Sequence, residues 1–158
     1  MDDDAAEPGE GDVTYELRAV PPPTEQFVRL RDAAGMAHRT LEAAEAGVPN
    51  SHYAVTAVAV DRDADGPGTD GTVVGMGRVV GDGGTVFQVT DVVVHPDHQR
   101  RGLGSRIVDA LVTHLRETAP ESAYVNLLAD VEGFYERFGF EYTAPDSRGM
   151  FLRIGGDP

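Results

Sequence analysis

The residues whose types and spacing can do chemistry run Val92-Val93-Val94-His95-Pro96-Asp97-His98-Gln99-Arg100-Arg101-Gly102-Leu103-Gly104-Ser105. A β-branched apolar run stops at a proline. A short loop with two arginines and two glycines follows, and an amphipathic helix then begins. Such a strand–loop–helix junction aims unpaired backbone N–H groups, and the positive end of a helix dipole, at one anion. Gly102 and Gly104 remove side chains that would keep a phosphate away from the backbone, and Arg100 and Arg101 add charge beside it. An ordinary helix start with exposed arginines has the same local pattern. A dinucleotide fingerprint would need a third glycine where Arg106-Ile107 stands.

These residues must be positioned by the elements around them. Val13 to Val20 alternates as a strand, broken by Pro21-Pro22-Pro23. Thr24 can cap a helix to about Met36 with Phe27, Val28, Leu30 and Ala34 near its apolar face. A second helix spans about Thr40 to Ala46 and ends at Gly47. Strands are expected at His52 to Asp61, Thr72 to Val80 and Phe87 to Val94, the last two joined by a Gly81-Asp82-Gly83-Gly84 hairpin turn. A helix from Gly102 to Thr118 places Leu103, Ile107 and Leu111 on one face. Ala123 to Ala129 reads as a strand and Val131 to Phe138 as a short helix stopped by Gly139. Phe140 to Thr143 and Gly149 to Ile154 read as closing strands, with Met150 and Phe151 as core or acceptor-side packing. The order predicts a single α/β (α+β) domain over residues 13–154, with a mixed, mostly antiparallel central sheet flanked by helices. Residues 1–12 read as a disordered acidic tail and 155–158 as a short tail.

Composition narrows the function classes. The 158 residues carry 27 acidic and 13 basic side chains, a net charge of −14, and every basic residue is arginine. An acidic, lysine-free surface fits adaptation to high salt, where the Debye length is only about 3 Å at 1 M; an acidic protein from a GC-rich genome has the same composition. Either reading argues against nucleic acid, whose binders present a basic face. With no cysteine there are no disulfides, no thiolate metal sites and no cysteine to carry an acyl group. His95-Pro96-Asp97-His98 is a poor ligand set, so no metal is expected. No apolar run reaches the roughly 20 residues of a membrane helix, and the acidic N-terminus has no signal-like apolar region; a cytoplasmic location with no membrane partner is the expectation.

Element order and motifs together resemble the GNAT superfamily of acyl-CoA-dependent N-acetyltransferases. The family's pyrophosphate loop, Gln/Arg-x-x-Gly-x-Gly/Ala, is matched by Gln99-Arg100-Arg101-Gly102-Leu103-Gly104. Val94-His95-Pro96 matches a preceding Val-x-Pro segment, and Tyr135-Glu136-Arg137-Phe138-Gly139-Phe140 matches Tyr-x-x-x-Gly-Phe. The resemblance spans roughly residues 13–154. Thr90-Asp91-Val92-Val93-Val94, Leu128-Ala129-Asp130 and Gly149-Met150 are further similar to the serotonin and arylalkylamine branch. The stretch between Asp130 and Phe134 is shorter than in that branch, so its substrate is not carried over.

The resemblance implies acetyl-CoA as co-substrate. Its pantetheine would pair with the backbone of Val92, Val93 and Val94, and its pyrophosphate would meet the N–H groups from Arg100 to Ser105. It also implies that Tyr135 protonates the leaving thiolate; reference pKa values of about 10 for a phenol and about 8.5 for a thiol make that transfer nearly balanced. Asp91 could bind or deprotonate the amine, with Asp130 as a second candidate. Alternatively, Tyr135 is a core tyrosine and Asp91 a satisfied buried aspartate. The implied activity is direct acetyl transfer to a primary amine, a small molecule in preference to a protein. A CoA-binding module without turnover is the alternative. Family members are often dimers, which makes a homodimer an expectation.

Overall fold

Alternating β-branched and small residues produce three long neighbouring strands, β2 (Tyr53–Asp61), β3 (Thr72–Gly81) and β4 (Val86–Val94). The computed structural model describes residues 13–61 and 71–155. The expectations for residues 1–12, for the turn at 62–70 and for 156–158 lie outside them. With β1 (Val13–Arg18) and β5 (Tyr124–Asn126) the strands form one sheet in the order β1-β2-β3-β4-β5. Pairing is antiparallel up to β4 and parallel between β4 and β5. The parallel step follows from the crossover through helix α3 (Leu103–Thr118), since parallel neighbours need a long connection.

Helices cover both faces of the sheet. On one, Ile107, Leu111 and Leu115 of α3 pack against Val55, Ala57, Val79, Phe87 and Val89. On the other, Phe27 and Leu30 of α1 (Thr24–Ala33) and Ala44 of α2 (Leu41–Gly47) enclose Met76 and Val93. Each fully buried Leu or Ile contributes about 1.5–3 kcal/mol. Gly77 sets how close α3 lies: a Cβ there would stand 2.6 Å from Ile107 Cγ2 and 2.9 Å from Leu111 Cδ1. The expected class, a single mixed α/β domain with a helix-flanked sheet, is the one observed. Among the described residues no helix is long and apolar enough to cross a membrane.

Three expectations are corrected. The helix expected over Val131 to Phe138 is reduced to a 3-10 turn at Tyr135–Phe138, because Gly133 takes a φ of 76° and interrupts any helix before it. The strand expected over Ala123 to Ala129 pairs only at Tyr124–Asn126. Phe140 to Thr143 and Gly149 to Ile154 form no strands: they find no ladder partner, and Met150, Phe151, Leu152 and Ile154 are 80–92% exposed rather than packed in a core. Smaller differences fall at α1, which ends at Ala33 and has Pro23, not Thr24, at its N-cap.

Candidate active site

The site begins with an irregularity in β4. Met76 faces Val93 and Arg78 faces Thr90, so Asp91 and Val92 together oppose Gly77 alone. This β-bulge puts Asp91 in the left-handed region at φ 54° and bends the strand. Beyond Gln88, β4 loses β5, whose pairing covers only Val86, Phe87 and Gln88. The two strands therefore diverge around an open strand edge. His95 N–H donates to Val74 O at 2.7 Å, which makes Gly75 and Val94 a pair without hydrogen bonds between them and turns the Val94 N–H and C=O away from β3. The side chains of Val92 and Val94 pack partly buried toward α3, and that of Val93 is buried toward α1.

A cleft of about 310 Å³ opens at the divergence, with Thr90, Asp91 and Val92 on one wall and Leu127, Leu128, Asp130 and Tyr135 on the other. Tyr135 is 9% exposed. Its ring meets Phe134 edge-on at 4.9 Å and Phe140 at 6.1 Å. Burial, and secondarily the charge of Asp130, push its pKa above the ordinary value of a phenol, because both oppose a phenolate. The group is a protonated donor in the neutral range.

Asp91 does not stand free at the cleft. One carboxylate oxygen accepts from Arg31 Nη1 of α1 and the other from Arg78 Nε of β3 at 2.9 Å. Arg31 also donates to Ala37 O at 2.7 Å, and Arg78 to Ser51 Oγ at 2.9 Å. Both guanidiniums lie by the Phe27 ring, 5.8 and 5.4 Å from its centroid. Arg39 and Arg153 complete the cleft lining.

The second half of the site is the start of α3. Gly102 is the N-cap at φ 77° and offers no side-chain cap. The first helical bond is Arg106 N–H to Gly102 O, so the N–H groups of Leu103, Gly104 and Ser105 have no partner within the helix. A Cβ at Gly102 would project into open space, which leaves room for a phosphate against these donors. Arg100 also has a positive φ, 63°. Arg100 and Arg101 are exposed, and Arg101 reaches to 6.0 Å from the Tyr15 ring centroid. The Gln99 amide donates to Val94 O at 3.0 Å and ties the loop to the strand end. Ser105 Oγ accepts from Arg137 at 3.1 Å. The Leu103 side chain is core, leaving only its backbone to the site.

The structure thus joins the backbone edge of 92–94, the loop 99–105 and Tyr135 around one divergence in the sheet. It holds the carboxylate of Asp91, which lines the cleft, in an ion-pair network with Arg31 and Arg78. Among the described residues no group of three or more His, Asp or Glu side chains is arranged to hold a metal. Sequence reasoning missed Arg31, Arg39, Arg78, Arg137 and Arg153. Arg31 left a signal, since it stands four residues after Phe27 on the apolar face of α1, where a charge needs a buried partner.

Comparison with known proteins gives the family. Residues 56–142 match the acetyltransferase (GNAT) domain family. The chain is 31% identical over 128 residues to the uncharacterized N-acetyltransferase ycf52 of Pyropia yezoensis, covering 80% of this chain and 69% of that protein. It is 32% identical over 134 residues to the chloroplastic GCN5-related N-acetyltransferase 2 of Arabidopsis thaliana, where it covers 77% of this chain but 51% of the relative. A probable acetyltransferase from Staphylococcus aureus superposes with a TM-score of 0.77 at 38% identity, covering 89% of this chain and all of that one. On these matches the chain belongs to the GNAT family of N-acetyltransferases.

Proposed function

We propose that the protein transfers an acetyl group from acetyl-CoA directly to the primary amine of a small molecule. The observation that carries this reading is the continuity of three features: unpaired N–H donors at the head of α3, the free β4 edge leading from them, and Tyr135 beside that edge. The N–H groups from Arg100 to Ser105, with the Arg100, Arg101 and Arg137 guanidiniums nearby, would hold the pyrophosphate. Gln99 would hold the loop to the strand through the Val94 carbonyl, and the outward backbone groups at Val92 with the Val94 N–H would pair with the pantetheine. Bound acetyl-CoA supplies an activated thioester.

The residues of the chain do the rest. Tyr135 holds a proton on its hydroxyl and gives it to the departing thiolate. Asp130 lines the cleft without an ion pair among the described residues and takes a proton from the incoming ammonium, directly or through water, so that the neutral amine attacks the thioester carbonyl and the C–S bond breaks as the C–N bond forms. Asp91 acts as a positioning residue, fixing Arg31 and Arg78 behind the acceptor. With no cysteine in the chain, transfer is direct within a ternary complex. Calorimetric titration with acetyl-CoA, with NAD as control and at low and molar salt, tests the first half of this reading. Release of free CoA thiol with an amine panel tests the second. CoA-selective binding and thiol release support it, and no binding at either salt removes it.

Two further readings follow the surface. The exposed apolar side chains of Met150, Phe151, Leu152 and Ile154 and the outer edge of β5, beyond which no strand pairs among the described residues, suit a second copy of the chain, giving a homodimer. The acidic, lysine-free composition suits a protein working in high salt.

A further inference from the structure

The acceptor cleft carries an excess of positive charge in a chain of net charge −14. Arg31 and Arg78 share the single carboxylate of Asp91. Arg31 and Asp91 are 4% and 7% exposed, so this network leaves one guanidinium charge without a counterion at the base of the cleft. Arg31 Nε is, moreover, buried without a hydrogen-bond partner.

Arg39 lies against the same space. It donates to the Ala37 and His38 carbonyls, and among the described residues it has no carboxylate within ion-pair distance. Partial burial and the charges of Arg31 and Arg153 lower its pKa, while Asp91 opposes them, so Arg39 senses both neighbouring guanidiniums. Arg153 enters from the C-terminal segment, its guanidinium 5.4 Å from the Phe151 ring centroid, and is likewise without a carboxylate. Asp130 and Tyr135 line the same cleft. No residue from 95–106 lines this cleft, so its arginines are separate from the loop assigned to the pyrophosphate.

We infer that Arg39 and Arg153, backed by the Arg31–Asp91–Arg78 network, bind an anionic group on the acceptor, so that the substrate is a small amine that also bears a carboxylate or a phosphate. An exposed guanidinium pair recognises either group through charge-assisted hydrogen bonds. The amine of such a molecule would lie toward Asp130 and Tyr135. This rests on the acetyltransferase reading above and narrows it: arylalkylamines and polyamines, which lack an anion, fit the cleft poorly.

The test uses the full chain at one fixed salt concentration, with thiol release as readout and matched acceptors: α-amino acids against their carboxamides, and an aminosugar phosphate against the unphosphorylated aminosugar. The expected result is a kcat/KM at least tenfold higher for the anionic member of one pair. Which pair responds separates carboxylate from phosphate. Arg39→Gln and Arg153→Gln should shrink that preference about tenfold or more, chiefly through KM, in line with loss of a hydrogen bond to a charged group. Both side chains are exposed, and acetyl-CoA titration of each variant reports that the cofactor half is folded. Acetyl-CoA binding with no preference for the anionic member, or a preference that survives both substitutions, overturns the anion assignment alone. Failure to bind acetyl-CoA instead overturns the acetyltransferase reading, and this inference with it.

Discussion

Arg31 on α1 and Asp91 in the β4 bulge, sixty residues apart in the chain, form an ion pair in which both partners are almost wholly buried. The pair joins the helix layer on one face to the bend that opens the sheet. Removing one partner of a buried pair leaves an uncompensated charge, at a cost of about 3–5 kcal/mol. Asp91→Ala is therefore expected to lower the unfolding free energy by that amount in a denaturant titration. A double-mutant cycle with Arg31→Met and Asp91→Asn should show coupling of at least about 1 kcal/mol; additive effects would mean that the pair does not hold α1 to the bulge.

Tyr135 is separable from folding. Tyr135→Phe keeps the ring contacts with Phe134 and Phe140 and removes only the hydroxyl. We expect kcat to fall about a hundredfold or more, with acetyl-CoA affinity within twofold. Unchanged turnover would take the hydroxyl out of the mechanism, and cofactor binding without any turnover in the unsubstituted protein would favour a CoA-binding module.

The raised pKa of Tyr135 sets a pH limit with a definite sign. Its proton is held more tightly in the folded protein than in the unfolded chain. The associated stability is complete below the unfolded value of about 10 and is lost as pH rises through the folded value. The alkaline limb of the kcat profile should therefore begin above pH ~10. A limb well below that would assign it to another group.

Gly102 combines a φ of 77° with open space at its missing Cβ. Gly102→Asn tolerates the backbone conformation but fills the space, whereas Gly102→Val also strains the backbone. Both should weaken acetyl-CoA binding about tenfold or more, and only the valine should lower the melting temperature. Equal CoA affinity for the asparagine variant and the parent would exclude the loop as the phosphate cradle.

The C-terminal run offers an independent check on assembly. Light scattering should give the mass of a dimer, and Phe151→Asp with Leu152→Asp should shift it to a monomer. A monomer before substitution would show that the exposed run serves no second copy.

The strands and helices from β1 to α3 were legible because each follows a local rule: period-two alternation in β2 to β4, and helical spacing of Leu103, Ile107 and Leu111 under a glycine start. The loop before α3 was legible for the same reason, since its glycines announce its backbone geometry. The motif around Tyr135 was readable as a pattern, but the three-residue spacing gave no sign that Gly133 would cut its helix to a single turn. The closing strands were misread because alternation in 149–154 records a capacity to pair, and pairing depends on an available edge. Local sequence thus determined the elements from β1 to α3, the glycine-bearing loop before that helix and the place of the tyrosine. Tertiary structure alone decided that β4 bulges at Asp91, that its carboxylate is taken by Arg31 and Arg78, and that Arg39 and Arg153 meet across one cleft, since charges brought together from α1, β3, β4 and the C-terminal segment interact through space and leave no periodic trace in the chain.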